Sequence, residues 1–293
     1  MIKTSSSSTQ RYQWQYQARE FTVAYETWGE GSPVLLLPAF STVSTRQEML
    51  GLAQVLACDY QVVTLDWLGF GESERPNVSY KRSLYEQLLR DFVQNTFNES
   101  VAVITAGHSG GYAMQVAQSH PSLFSKMLLI NPTWKGPLRT MGVPAVIANG
   151  VKNLVRLPLL GQFLYALNTT PGFIKFMYRQ HVYTDVERLT PEFIAEKRQV
   201  TQKPGARFAP AAFVTGGLDP MTRREEFLAV ARSLTIPAKV IIGDQSPRKS
   251  KAEMEALAEL SNIKSTSLPG SLGMHEEYSS PVGKAAKSFL REN

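Results

Sequence analysis

The sequence predicts an α/β fold in which a doubly wound, mostly parallel sheet carries helices on both faces. Two observations predict it: short apolar runs recur along the chain, and stretches with helical periodicity separate them. A third observation adds an insertion, because this rhythm stops after residue 130 and a long segment rich in Leu, Phe, Tyr, Met and Pro follows. We therefore expect a core of residues 1–132 and 236–293 and an inserted, mostly helical cap of residues 133–235.

Seven short segments are the predicted strands. The first alternates apolar and polar residues, as a half-buried strand does, and most of the others are apolar runs that suit parallel strands covered on both faces. In chain order they are residues 21–26, 34–37, 62–65, 101–105, 127–130, 239–242 and 265–268.

Four segments with helical periodicity lie between these strands, where right-handed crossovers are expected. The last of them places Met254, Leu257 and Leu260 on one face. The predicted helices are residues 44–57, 83–95, 112–119 and 251–260.

The composition is that of a soluble globular protein, with 43% hydrophobic and 19% charged residues in a chain of 293. The net charge of +6 is a mild excess of cations. Neither the apolar stretch of a secretory signal nor a run of membrane-spanning length is found, so we expect a cytoplasmic protein. The Ser-rich residues 1–12 are expected to be a frayed tail.

The cysteine content and the absence of known binding motifs limit which disulfides, cofactors and metal ions the protein can be expected to have. The single cysteine, Cys58, excludes an internal disulfide and is expected to be a small core residue. The sequence has no P-loop, no metal-ligand cluster and no G-x-G-x-x-G fingerprint. We therefore expect no cofactor, no metal ion and no nucleic-acid partner.

Residues 107–111, Gly-His-Ser-Gly-Gly, match the pattern G-x-S-x-G. The motif follows a predicted strand and precedes a predicted helix, which is the context in which a strained turn exposes a serine hydroxyl. The glycines remove side chains that would collide with the neighbouring strand and helix. Ser109 is therefore the candidate nucleophile.

A serine hydroxyl needs an imidazole to take its proton during attack. Of the four histidines, His108 adjoins the nucleophile and is directed elsewhere by the sharp turn, His120 is expected at a surface helix end, and His181 falls in the predicted cap. His275 follows the last predicted strand and a Pro-Gly turn, on a loop at the carboxyl edge of the sheet. His275 is the candidate base.

Several segments in the right order resemble the α/β-hydrolase superfamily, over about residues 21–290. Residues 25–29 and 33–40 resemble its first strands and oxyanion loop, and residues 66–73 match its D-x-x-G-x-G-x-S loop. Ser109 lies where the nucleophile of that superfamily belongs, and His275 lies near the end as its histidine does. The resemblance implies the α/β-hydrolase fold and serine-based acyl chemistry.

The acid of a Ser-His-acid triad is less clearly indicated. Aligned on the superfamily, the usual acid position after the strand at 239–242 holds Ser246, which has no carboxylate. Asp244, two residues earlier, is the candidate acid. Asp219 is the alternative, although Asp followed by Pro is also what a helix start favours. Asn131 occupies a further position where some relatives place an acid.

The resemblance also assigns the oxyanion hole, which holds the negative oxygen of the tetrahedral intermediate. The backbone N–H groups of Gly110 and Phe40 fall at these positions. Pro38 and Ala39 replace the common His-Gly pair, so the hole should be narrower and more apolar.

The predicted cap is dense in apolar residues between 146 and 178, which suits an apolar acyl or alcohol pocket. Lys152, Arg156, Lys175 and Arg179 are interleaved with them. Two interpretations are open. The apolar residues pack on the core and the cations are solvated, or the cap makes a weak contact with a membrane surface.

These observations predict a serine hydrolase that cleaves a carboxylic ester of an apolar substrate, a small molecule, through an acyl-enzyme on Ser109. One alternative is an acyltransferase with the same serine, since residues 25–29 resemble a segment of homoserine acetyltransferases. Another is a non-catalytic ligand-binding protein on the same fold, because Ser246 and the Pro38-Ala39 pair depart from the superfamily.

Overall fold

The computed structural model describes residues 8–292, except for the side chains of Ala145 and Asn149. Its centre is one eight-stranded sheet in the order β1-β2-β4-β3-β5-β6-β7-β8. β1 pairs antiparallel with β2 and β2 antiparallel with β4, and every other pair is parallel. The strands are β1 Gln10–Tyr16, β2 Arg19–Trp28, β3 Pro33–Leu37, β4 Gln61–Leu65, β5 Val101–Ala106, β6 Phe124–Ile130, β7 Ala238–Gly243 and β8 Ile263–Leu268.

Thirteen α-helical segments occur in the described residues. They are α1 Leu50–Leu56, α2 Arg82–Thr96, α3 Ser109–Ser119, α4 Pro137–Thr140, α5 Ala145–Arg156, α6 Leu160–Leu167, α7 Pro171–Met177, α8 Pro191–Thr201, α9 Phe208–Val214, α10 Arg224–Arg232, α11 Arg248–Ala258, α12 Met274–Glu277 and α13 Ser279–Arg291. A 3-10 turn, Arg46–Met49, leads directly into α1.

The sheet is covered on both faces, which confirms the predicted fold class. Leu35 and Leu37 of β3 pack with residues of α2, α3, α10 and α11. Val34 and Leu36, which point the opposite way, pack with residues of α1 and α13. All four are buried, and this explains why the strand has no polar face.

The segment between β6 and β7 is mostly helical and carries α4 to α10. Its last helix, α10, packs against α3 and α11, and Phe227 and Val230 join the main core. Helices α5, α6 and α7 instead leave many apolar side chains exposed. A smaller apolar cluster, which includes Ile174, Tyr178 and Ile194, joins α7 to α8.

Two expectations from the sequence are wrong. Residues 10–12 belong to strand β1 rather than to a frayed tail, since Trp14 is buried and stacks on Tyr16 at 4.9 Å between ring centroids. Residues 1–7 of that expected tail lie outside the described residues. Cys58 is exposed rather than in the core, because the chain has already left α1 for the turn before β4.

Between residues 8 and 292, none of the helices combines the length with the apolar character that crossing a bilayer requires.

Candidate active site

Ser109 is the first residue of α3, directly after the turn that follows β5. Gly107 adopts φ +56° in this turn, a region that favours glycine. A Cβ on Gly111 would lie 2.3 Å from Cγ of Pro220, so a side chain there would displace the segment before α10. The structure thus forms the predicted strand-turn-helix elbow, but Ser109 is fully buried rather than exposed, because its hydroxyl packs against the loop after β3.

The Ser109 hydroxyl is held against the loop that follows β3. It donates a hydrogen bond to the backbone oxygen of Pro38. The indole Nε1 of Trp67 lies 3.3 Å from Ser109 Oγ and 3.0 Å from the same Pro38 oxygen. Ser109 and His275 share no hydrogen bond in the described structure.

An aromatic cluster walls this side of the site. The Phe40 ring stacks on Trp67 at 5.1 Å and meets Tyr85 edge-on at 5.0 Å, with Tyr112 at 5.4 Å. Burial raises the pKa of Tyr85 and of Tyr112 well above the usual value, which keeps both phenols neutral. The wall beside Ser109 is therefore apolar and uncharged.

His275 lies on the short helix α12 and is buried. Its Nε2 atom lies 3.3 Å from Oε1 of Glu48, at ion-pairing distance. Its Nδ1 atom is buried and has no hydrogen-bond partner among the described residues. The carboxylate that the structure brings to His275 is therefore Glu48.

Glu48 also holds the oxyanion loop. The backbone N–H of Ala39 donates to Glu48 Oε1 at 2.5 Å, and the Ser44 hydroxyl lies 3.5 Å from Oε2. No sequence pattern predicts this role, because Glu48 falls inside a predicted helix, where a glutamate is expected to be solvated. Tertiary packing instead leaves Glu48 buried in the 3-10 turn before α1.

The turn that carries Glu48 is fixed by the buried Arg46. Its guanidinium pairs with Glu26 at 2.5 Å, with Glu72 at 2.7 Å and with Asp66. Burial raises the pKa of Asp66, although the Arg46 charge opposes this shift. Three carboxylates, one from β2 and two from the loop after β4, thus hold Arg46 in place. Because Glu48 is only two residues further along the same turn, they also position Glu48.

The predicted acid Asp244 does not meet His275 in the structure. Its side chain is exposed, and its backbone N–H donates to Leu268 O at 3.0 Å, which continues the pairing of β7 with β8. The following turn directs Ser246 inward instead, where its Oγ lies 3.4 Å from Asn131 Oδ1. The side chain that points into the protein after β7 is therefore Ser246, the residue that the alignment placed at the usual acid position.

Asn131 occupies the end of β6 and bridges two loops. Its Nδ2 donates to Ser271 O at 2.7 Å, and its Oδ1 accepts from Gly243 N–H at 2.7 Å. This buried amide fixes the loop that precedes His275 without supplying a negative charge to the site.

The alternative acid, Asp219, lies beside a different histidine. His108 Nε2 is 3.6 Å from Asp219 Oδ1, and His108 Nδ1 is 2.7 Å from Thr133 Oγ1. Asp219 accepts the backbone N–H of Gly136 at 2.7 Å. It does not cap a helix, because α10 begins only at Arg224.

The two predicted oxyanion donors differ in availability. The Gly110 N–H donates to Gly107 O at 3.2 Å and closes the elbow turn. The Phe40 N–H makes no hydrogen bond to any other residue within 8–292. Phe40 therefore offers the free donor beside Ser109, next to the N–H that Glu48 occupies.

The loop that carries His275 is fastened to the segment between α7 and α8. Glu277 accepts hydrogen bonds from the Thr184 and Asp185 backbone N–H groups at 2.9 and 2.6 Å. Lys197 of α8 pairs with Glu276 at 2.6 Å. The insertion and the segment that carries His275 are thus held together by hydrogen bonds and an ion pair.

Comparison with known proteins agrees with this architecture. A family model described as the alpha/beta hydrolase family matches residues 34–271, and the chain belongs to that family. The superfamily resemblance stated from the sequence is confirmed, and membership supports a hydrolase activity.

Individual relatives match more weakly. An uncharacterized protein of Mycobacterium tuberculosis is 30% identical over 108 residues, 37% of this chain and 31% of that protein. A 2-hydroxy-6-oxo-6-(2'-aminophenyl)hexa-2,4-dienoic acid hydrolase of Metapseudomonas resinovorans is 25% identical over 104 residues, 35% and 36% of the two chains. These matches span about a third of the relatives' length.

A solved structure of a thermophilic esterase from Thermogutta terrifontis is similar over nearly the whole fold. It superposes with a TM-score of 0.72 at 18% identity and covers 97% of this chain and 98% of its own. At this identity the likeness shows the shared fold.

Proposed function

We propose that this protein is a serine hydrolase that cleaves a carboxylic ester of an apolar substrate through an acyl-enzyme on Ser109. The observation that supports it best is the convergence of three loops. The loops after β3, β5 and β8 carry Glu48, Ser109 and His275, and the carboxyl ends of parallel strands lie at one edge of a sheet.

In the proposed reaction the Ser109 hydroxyl leaves Pro38 O, transfers its proton to a ring nitrogen of His275, and attacks the ester carbonyl carbon. His275 then passes the proton to the departing alkoxide oxygen. Water repeats the sequence on the acyl-enzyme and releases the carboxylic acid. Serine in an apo site commonly reaches its base only when substrate binds.

Glu48 takes the role of the acid in this proposal, in place of the predicted Asp244. Its carboxylate, 3.3 Å from His275 Nε2, would stabilise the imidazolium that forms in the transition state. The oxyanion would be held by the free Phe40 N–H, and by the Gly110 N–H once it turns from Gly107 O to the substrate. Because Glu48 occupies the Ala39 N–H, only Phe40 of the oxyanion loop is left as a donor.

The substrate class follows from the wall of the site. Phe40, Trp67 and Tyr112 are buried and uncharged, and Phe213 continues the cluster at 6.4 Å from Phe40. An acyl chain packs on such a surface, whereas a charged acyl group would lose its hydration without a partner. We therefore infer an uncharged, apolar acyl group.

Covalent labelling tests the proposal most directly. A fluorophosphonate probe should modify Ser109, as located by peptide mass spectrometry, and should abolish hydrolysis of p-nitrophenyl esters. A series of acyl chain lengths then measures the preference for apolar groups, and Ser109→Ala is the control that should neither react nor turn over. Protein that hydrolyses the esters while remaining unlabelled would contradict the assignment.

A further inference from the structure

The exposed large apolar side chains of residues 8–292 are confined to one stretch of the chain, residues 141–186. We call this stretch the cap surface. Soluble proteins rarely expose large contiguous apolar patches, and where they do the patch marks an interaction site. They are Met141, Val146, Ile147, Val151, Leu154, Leu157, Leu159, Leu160, Phe163, Leu167, Phe173, Phe176 and Val186.

The exposure follows helical stripes rather than scattered positions. Ile147, Val151 and Leu154 recur at helical spacing on α5. Leu160, Phe163 and Leu167 repeat the pattern on α6, and Phe173 with Phe176 on α7. The turn between α5 and α6 adds Leu159, which is 85% exposed.

Helices α5, α6 and α7 and the segments between them carry cations but no carboxylate. Residues 132–184 contain no Asp or Glu, and their basic residues are Lys135, Arg139, Lys152, Arg156, Lys175 and Arg179. Lys175 and Arg179 are exposed, and neither forms an ion pair with another described residue. A chain with 25 Asp and Glu residues overall thus has none along 53 consecutive residues, and the one carboxylate within the cap surface is Asp185, directly before Val186.

A cavity of 480 Å³ between α7 and α8 has the same combination of apolar and cationic residues. Lys175 and Arg198 line it together with the apolar Leu189 and Ile194, and no carboxylate is among its lining residues. A negatively charged group with an adjoining apolar chain would match both parts of this lining.

We propose that the cap surface docks on an anionic lipid bilayer. Apolar stripes with interleaved cations are the signature of helices that lie in the interface of a membrane with an anionic headgroup layer. A second copy of the chain would bring cations against cations, and a nucleic acid would leave the leucines and phenylalanines without an apolar partner. Arg156 fastens α5 to the core through Asn77 Oδ1 at 2.8 Å and Val78 O at 3.0 Å, so docking would orient the whole molecule.

Vesicle co-sedimentation tests the proposal. The full chain is mixed with phosphatidylcholine vesicles that contain either no anionic lipid or about one third phosphatidylglycerol. We expect binding to the anionic vesicles and a loss of binding as salt screens the cations. Lys175→Glu with Arg179→Glu should weaken binding at least about tenfold, and Leu159→Ser with Phe163→Ser should do the same.

The matched control reverses two exposed cations outside the cap surface, Arg232→Glu at the end of α10 and Lys284→Glu on α13. It changes the net charge equally and should bind as the parent chain does. All variants are also compared by thermal unfolding, to show that they fold.

Three outcomes would overturn the proposal: no binding to anionic vesicles, equal loss in the control variant, or a dimer in solution that Leu159→Ser with Phe163→Ser dissolves. Ser109→Ala should bind as the parent does, because docking needs no turnover. Failure here therefore leaves the proposed hydrolase reaction standing, and failure of fluorophosphonate labelling leaves docking standing.

Discussion

His108 and His275 are both buried, and each has a carboxylate nearby, yet they belong to different parts of the molecule. His275 Nε2 lies 3.3 Å from Glu48, and His108 Nε2 lies 3.6 Å from Asp219. The two rings differ more in the partner of their other nitrogen, Nδ1. His108 Nδ1 is engaged by Thr133 at 2.7 Å, whereas His275 Nδ1 has no partner among the described residues.

The backbone that each carboxylate holds accounts for the difference. Glu48 holds Ala39, in the loop predicted to bind the oxyanion, and so links His275 to that loop. Asp219 holds Gly136, at the start of the insertion, and couples the elbow to that segment. The proposal therefore gives His108, adjacent to Ser109 in sequence, a structural role and gives the distant His275 the catalytic one.

Substituting His275 should produce the largest effect. His275→Gln should lower kcat for a p-nitrophenyl ester by roughly 10³-fold or more, because Ser109 would lose the group that takes its proton. The measurement is steady-state turnover, with circular dichroism to show an intact fold. A variant that keeps a tenth of the parent activity would contradict the assignment of His275, rather than His108, as the base.

Glu48 should come next. Glu48→Gln keeps the shape of the side chain but removes the charge, and kcat should fall by about 10²- to 10⁴-fold with a smaller change in KM. Asp244→Asn is the matched control, since the Asp244 side chain is exposed, and should remain within about twofold of the parent. If the two effects are reversed, Asp244 is the triad acid and its loop moves when substrate binds.

His108 and Asp219 should affect stability rather than chemistry. Asp219→Asn should lower the free energy of unfolding by about 1–2 kcal/mol, because it weakens a partly buried charge-assisted bond to Gly136 N–H, and should change kcat by no more than a few-fold. Urea unfolding and turnover on the same samples separate the two quantities. A large kcat loss at unchanged stability would assign the His108 pair to catalysis.

The smallest expected effect concerns Glu276, beside His275. Burial raises its pKa, but the charge of Lys197 and the hydrogen bond from it outweigh burial, so the pKa lies below the usual 4.5. The stability this carboxylate contributes is present above pH 4.5 and is lost as the pH falls through its lower folded pKa.

Glu276→Gln should therefore lower the free energy of unfolding by on the order of 1 kcal/mol at neutral pH. The variant should then lose less stability than the parent as the pH falls below 4.5. Urea midpoints between pH 3 and pH 7 measure it, with Glu292→Gln as the control, because the Glu292 pair with Lys264 is exposed. If Glu276→Gln loses as much stability at low pH as the parent does, the ion pair of Glu276 with Lys197 does not hold the segment that carries His275.

The sequence alone determined strands β2 to β8, the elbow and the family. Strands β3 to β7 are apolar because both faces are covered, so local composition reports them directly. The elbow is equally local, since Gly107 and Gly111 are required by a backbone conformation and a close approach within the same motif. Strand β1 was missed because Gln17 and Ala18, both at positive φ, form a hairpin turn without the usual Asn or Gly.

Only the tertiary structure decided which carboxylate faces His275. Glu48 and His275 are 227 positions apart in sequence and meet because the loops after β3 and β8 converge at one sheet edge. The inward direction after β7 likewise goes to Ser246 rather than to Asp244, a matter of one turn's geometry. Side-chain direction at the end of a strand depends on what packs there, and a sequence pattern carries no record of that packing.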